Sequence, residues 1–269
     1  MRAAFNAETS ACKFLEIQNI PRMKLLLATL GLAISCVMAF EAAGQGRDTL
    51  GNKWPERLHT NRDIQSAKPD VESIDIWDLP IQDYPLLVKF ARVKNIMLDS
   101  QKGTFATDEK LKALARLDLT NLTGIIMVNC RLITDEGIRA LVRIRSLTGL
   151  ELEGTAITDA ACETMSTRMS LTGINVANCN GVTLEGLKRL AISATLKDFV
   201  FSAGKLTQQE VLDLVASFKN VTRCDIVDPQ RKLDANAIKA KGNERGMQVF
   251  LRQTGALQDK YGITNGNPR

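Results

Sequence analysis

The sequence predicts an α/β solenoid of stacked strand–turn–helix units, an arc or horseshoe with a parallel β-sheet on its concave face and helices on its convex face. Three observations predict it. A six-residue phrase recurs as LTGIIM from Leu122, LTGLEL from Leu147 and LTGINV from Leu171, 25 and then 24 positions apart. A second phrase, an apolar residue followed by Thr, trails the first as LITDEGI, AITDAAC, GVTLEGL and KLTQQEV, starting at Leu132, Ala156, Gly181 and Lys205. Behind it lie apolar residues three and four apart: Ile138, Leu141 and Val142; Leu187 and Leu190; Val211, Leu214, Val215 and Phe218. That spacing places them on one helix face. A unit this short cannot bury a strand face and a helix face alone, so its copies must stack.

The amino-terminal region, residues 1–43, reads as a signal peptide. From Met23, the expected translation start, the chain runs MKLLLATLGLAISCVMAFEAAGQG: a basic Lys24, an apolar run from Leu25 to about Met38, then small residues. The run is short for a ~20-residue membrane span. The implied destination is the periplasm, cell envelope or exterior. Cleavage after Ala39 or Gly44 fits the pattern, and an uncleaved anchor is the plainer alternative. Ala33-Ile34-Ser35-Cys36 loosely resembles a bacterial lipobox, which would attach a lipid to Cys36 and make the protein a lipoprotein.

Residues 44–70 read as a linker and amino-terminal cap: polar from Gln45 to Asp70, punctuated by Pro55 and Pro69, with a capping helix around Arg62 to Ala67. The repeats occupy 71–252. Aligned on the first Leu of each phrase, the frame is apolar-x-x-apolar-x-apolar. It occurs at Leu122/Ile125/Met127, Leu147/Leu150/Leu152 and Leu171/Ile174/Val176, and continues to Leu196/Phe199/Phe201 and Val221/Cys224/Ile226. Upstream, Val93/Ile96/Leu98 and Val71/Ile74/Ile76 fit, and Gly246/Val249/Leu251 is a degenerate last copy, making eight candidates. Residues 253–269 form a turn-rich tail.

Periods of 20 to 29 residues with L-x-x-L-x-L are the leucine-rich-repeat signature. The phrases NCRLITDEGI, EGTAITDAAC and NCNGVTLEGL resemble the cysteine-containing leucine-rich repeats of F-box substrate adaptors and, more closely, those of exported bacterial proteins. The resemblance spans about Val71 to Arg252. It implies a binding scaffold that recognises a protein or a surface polymer through its strand face; fold alone names no ligand. The F-box resemblance implies instead a ubiquitin-ligase adaptor, for which DLPIQDYPLL at Asp78 is a faint echo of the required helical module. A structural cell-envelope component is the third class.

The remaining chemistry is sparse. Thr134, Thr158, Thr183 and Thr207 precede helices, where a hydroxyl caps the exposed amides of the first turn, and Thr207 with Glu210 spells a capping box. Asp135, Asp159 and Glu136 complement the positive helix end. Cys130, Cys162, Cys179 and Cys224 stand at core positions 32, 17 and 45 residues apart, which predicts free buried thiols and gives no zinc-type pair. His59 is the single histidine and precedes the repeats. No P-loop, GxSxG or dinucleotide turn is present, so the expectation is no catalysis, no cofactor and no metal. A net charge of +5 without a run of basic residues argues against nucleic acid.

What remains is surface. Residues flanking the core positions of each strand are expected to face outward from the concave side. The acids among them are Asp75, Asp99, Glu151, Glu153, Asp198 and Asp225, whereas the helices carry Arg139, Arg143, Lys188, Arg189 and Lys219. An acidic face of this kind would suit a cationic protein partner. Trp77, Met97, Ile126 and Val128 are expected to form an exposed apolar column, unless the segment from about Asp48 to Asp70 covers Trp77 and Met97. Asn175 and Val200 complete the candidate binding set. Gly124, Gly149 and Gly173 are expected to stack as a strip without side chains. Reversing Glu151 and Glu153 to Lys should leave stability nearly unchanged.

Overall fold

Gly124 pairs with Gly149, and Gly149 with Gly173, so the recurring LTG is in register across neighbouring strands. The computed structural model describes residues 56–98 and 105–252. Nine strands form one sheet in sequence order: β1 (Glu56–Leu58), β2 (Ser73–Ile76), β3 (Asn95–Leu98), β4 (Gly124–Ile126), β5 (Gly149–Glu151), β6 (Gly173–Asn175), β7 (Asp198–Ser202), β8 (Arg223–Val227) and β9 (Gln248–Arg252). Every pairing is parallel. Seven α-helices are described: α1 (Asn61–Ser66), α2 (Asp108–Leu114), α3 (Asp135–Leu141), α4 (Asp159–Arg168), α5 (Leu184–Ala191), α6 (Gln208–Ser217) and α7 (Ala235–Glu244). A 3-10 segment, Ile81–Lys89, takes the helix position between β2 and β3. The chain is an α/β leucine-rich-repeat solenoid with an open, unclosed sheet.

The core lies between sheet and helices. Leu122, Leu147, Leu171 and Leu196 are buried, as are the strand positions Ile125, Leu150, Ile174 and Phe199 and the helix stripe Leu141, Leu187, Val211 and Leu214. Each such side chain contributes roughly 1.5–3 kcal/mol on leaving water. The end copies are ragged: Val71 is half-buried in the first, and in the last Gly246 is exposed and Leu251 half-buried. The capping helix is α1, which opens on a capping box between Thr60 and Asp63. The cap region also supplies β1, a ninth strand beyond the eight expected copies. The signal region, Met23, Cys36 and the tail lie outside the described residues.

Two ladders of side chains hold neighbouring repeats. On the helix C-terminal side, the hydroxyls of Thr123, Thr148 and Thr172 donate to the backbone carbonyls of Lys94, Thr123 and Thr148. Thr222 repeats the bond to Lys197. The Thr of LTG is thus a rung between copies.

The second ladder runs along the helix N-termini. Thr134, Thr158, Thr183 and Thr207 are all N-caps. The Asp that follows the caps Thr107, Thr134 and Thr158 in sequence serves the next copy as well as its own helix end. Asp108 accepts from the amide and hydroxyl of Thr134, Asp135 from those of Thr158, and Asp159 from those of Thr183, at 2.6 to 2.9 Å. Leu184 stands where the next Asp would be, and the ladder breaks. Thr207 then bonds to its own Glu210 in the expected capping box.

The alternating Cys and Thr of the NC/GT/NC positions have a shared task. Cys130 Sγ lies 3.5 Å from the Leu98 carbonyl and Cys179 Sγ 3.0 Å from that of Leu152, while Thr155 Oγ1 donates to Leu152 at 2.8 Å. All three small polar groups satisfy carbonyls at the ends of strands, which buried backbone requires. Cys130, Cys162, Cys179 and Cys224 are free and buried.

Candidate functional site

Side chains alternate across a strand, so one set in each repeat faces away from the helices. The sheet register lines these up: Arg57, Asp75, Met97, Ile126, Glu151, Asn175, Val200, Asp225 and Phe250 form one continuous row. Of these, Asp75, Met97, Ile126, Asn175 and Asp225 are buried, against the expected open face, while Glu151 and Val200 are half-buried and Phe250 is exposed.

At the amino-terminal end the face is closed by the cap. The Arg57 guanidinium sits 4.5 Å over the Trp77 ring and 3.6 Å from Asp75, and the Trp77 indole donates to Asp75 at 2.8 Å. His59 meets Trp77 edge-on at 5.2 Å. Asp75 is buried and Trp77 half-buried. Here the covering reading is correct in part, because β1 brings Arg57 and His59 onto Trp77.

The exposed apolar column is corrected. Met97, Ile126 and Val128 are buried and form a small cluster of their own on the strand side, separate from the main core. Alternation sets the direction in which a side chain leaves the strand. It does not ensure contact with water when neighbouring strands stand only ~4.8 Å apart and equivalent residues stack on one another. Asp99 lies outside the described residues.

The centre holds a polar cluster. Asn175 donates to Glu151 at 2.8 Å, and Asn178 donates to Glu153 at 2.9 Å while its own carbonyl accepts from Ser202. Asn178 has φ 58°, in the left-handed region, as do Asn129 (57°) and Gly154 (71°) at the same place in the two preceding copies. That turn swings the Asn178 side chain toward Glu153. Glu153 is 0 % exposed, its Oε2 has no hydrogen-bond partner, and Asn175 is also buried. Burial pushes the Glu153 carboxyl up from its usual range, against the lowering effect of the Asn178 and Asn175 amides. Reversal of Glu153 to Lys therefore cannot be silent in stability, because it would bury a cation in a site built for an acceptor.

Toward the carboxyl end, Asp225 is buried and paired with Arg252 at 2.6 Å and Arg223 at 3.4 Å. Arg223 also lies 5.2 Å over the exposed Phe250 ring. Asp198, half-buried at the start of β7, has its carboxyl pushed up to about 6 by burial and by Asp225, with Arg223 opposing. The acids of this face are therefore largely compensated from within. Arg57, which compensates Asp75 from the neighbouring strand β1, was missed in the sequence.

The part of the face that remains open is central. Glu151, Val200, Gly149, Gly173 and Asp198 are all half-buried. A Cβ on Gly173 would meet nothing within 4 Å, and its φ is not in the left-handed region. Glycine there answers no steric demand and leaves a shallow floor. Beside the face, where the Asp ladder breaks, a cavity of about 390 Å³ opens between the starts of α5 and α6, lined by Cys179, Thr183, Leu184, Lys205, Leu206 and Glu210 among others. Among the described residues no group of three or more His, Cys, Asp or Glu is placed to hold a metal ion. The DLPIQDYPLL segment forms the turn and 3-10 segment between β2 and β3, inside the repeat array.

No protein-family model matches the chain, and neither does any curated protein. Solved structures do. Actin-binding site 2 of leiomodin-1 is similar at 17% identity over 51% of this chain and 88% of that one, with a TM-score of 0.36. The yeast Rad7–Elc1 complex is similar at 11% identity over 88% of this chain and 99% of that one, with a TM-score of 0.25. At those scores neither likeness adds to the fold, which rests on the strand order and register.

Proposed function

We propose that the chain is an exported interaction scaffold, without catalysis, that binds another protein or a surface polymer through the strand face of its repeats. The observation that carries this reading is the open central floor at Gly149 and Gly173. Two half-buried acids, Glu151 and Asp198, and the apolar Val200 border it. A rigid parallel sheet with a side-chain-free strip offers a partner backbone close approach, and Glu151 and Asp198 favour a cationic group there. Export is part of the proposal and rests on the sequence from Met23 to Gly44.

A photo-crosslinking residue placed at Val200, compared with one at Lys188 on the helix side, tests it in the native compartment. Partner adducts should form from position 200. Adducts formed only from position 188 would overturn the strand-face reading, and recovery of the protein in the cytoplasmic fraction would overturn export.

A further inference from the structure

The helices all run the same way, so the solenoid has two unlike long edges: one carries helix N-termini, the other the loops from helix C-termini into the next strand. On the N-terminal edge the acids have structural work in the ladder of Asp108, Asp135 and Asp159. The C-terminal edge is different. Its four consecutive loops at 142–148, 168–172, 192–197 and 218–222 expose Arg143, Arg145, Arg168, Lys197 and Lys219 and contain no acid. Among the described residues none of these five cations has an ion-pair partner; acids appear on this edge before these loops, as Asp70, Asp118 and Glu72, the last paired with Lys94, and after them as Glu244, paired with Lys241.

Helix dipoles account for Arg168, the last residue of α4, but not for the other four. A cation gains from the negative helix end only within the last turn. Arg143, Arg145, Lys197 and Lys219 lie two to six residues beyond the helices that end at Leu141, Ala191 and Ser217. Nor do the loops hang free: Ser146 bonds to the Leu122 carbonyl, Thr195 to Leu171 and Asn220 to Ala194. The cations therefore sit on fixed loops spaced by the repeat, over ~15 to 30 Å of edge.

A second observation chooses the partner. Ile192, at 63 % exposed, is the most exposed large apolar side chain among the described residues, and it lies in the third of these loops, between the cations. Val88, at 50 %, lies on the same edge at the end of the 3-10 segment. A soluble polyanion would satisfy the charges and leave Ile192 in water. A nucleic acid would look for stacking aromatics, and these loops expose none, since Phe218 is buried. We propose that this edge docks peripherally onto an anionic lipid surface, with the arginines and lysines at the phosphate level and Ile192 in the interface. Basic residues near an anionic leaflet each strengthen attachment, and apolar tips add to it.

The test uses the full chain and photoactivatable lipid in vesicles of phosphatidylglycerol or of phosphatidylcholine. Cross-links should map to peptides containing 142–148 and 192–197, with anionic vesicles only. Arg143→Gln, Arg145→Gln and Lys219→Gln together should weaken binding to phosphatidylglycerol vesicles ~100-fold, and Ile192→Ser should weaken it several-fold at any salt. Thermal melts confirm that the variants fold. Cross-links confined to residues 1–55, equal binding to neutral vesicles, or unchanged binding of the triple variant would each overturn the proposal. Strong retention on heparin without vesicle binding would overturn it in favour of a soluble polyanion.

Discussion

The Asp159 carboxylate accepts from the amide of Thr183 at 2.8 Å and from its hydroxyl at 2.6 Å, so the first residue of α4 caps the cap of α5. A bidentate, charge-assisted contact of this kind joins two repeats at the point where each would otherwise leave an N–H without an acceptor. Asp159→Ala should destabilise the fold by about 1.5–2 kcal/mol, the lower part of the range for bonds to charged groups because this one is exposed. A double-mutant cycle with Thr183→Ala, followed by urea unfolding, should show a coupling above about 0.5 kcal/mol. Additive effects would mean that the two residues act separately.

Glu153 makes the stability pH-dependent. Its folded pKa is raised by burial above the ordinary carboxyl value, so the folded state holds the proton more tightly than the unfolded chain. Its unfavourable contribution is absent below the unfolded pKa and grows as pH rises toward the folded one. Asp198, pushed up to about 6, has the same sign. The melting temperature should fall between pH 4.5 and neutrality, and Glu153→Gln should flatten that fall and raise stability at pH 7. A wild-type melting temperature that rises over this interval would contradict the assignment.

Gly154 and Gly173 should respond oppositely to alanine. Gly154 has φ 71°, and a Cβ there would come within 2.4 Å of Asn129 Oδ1. Gly154→Ala should cost about 1–2 kcal/mol for the left-handed backbone alone. Gly173 faces open space, so Gly173→Ala should be neutral or gain up to about 0.5–1 kcal/mol. Thermal melts of the two single variants check the contrast.

The four core thiols should be silent toward alkylating reagent in the native protein. Burial pushes Cys162, Cys179 and Cys224 above the usual thiol range, with nearby acids adding to the effect, so little thiolate is present at neutral pH. Peptide mapping after native labelling should find Cys130, Cys162, Cys179 and Cys224 unmodified, and all four modified once urea is added. Native modification of Cys224, which lies in β8 with 0 % exposure, would show that the strand opens.

Much of the fold was legible because a repeat is a local code read many times. Leu122, Leu147 and Leu171 set the register, and LITDEGI and its relatives marked each helix start; one uncertain copy cannot mislead when its neighbours agree. The Thr caps were legible for the same reason. Asp135 and Asp159 were legible only as complements to helix ends. Their bonds to the next copy depend on how closely successive helices pack, and no spacing within one copy reports that.

The sequence by itself determined the unit, its period, the parallel order of the strands and the face from which each side chain leaves, since these follow from alternation and helical periodicity. Only the tertiary structure decided which outward residues still meet water. Met97, Ile126, Val128, Asp75, Glu153, Asn175 and Asp225 point outward and are nevertheless buried, while Glu151, Val200 and Asp198 remain accessible. The physical reason is that exposure at a strand position depends on the side chains one strand away on either side. Those neighbours lie some 25 residues off in sequence, and stacking brings them together.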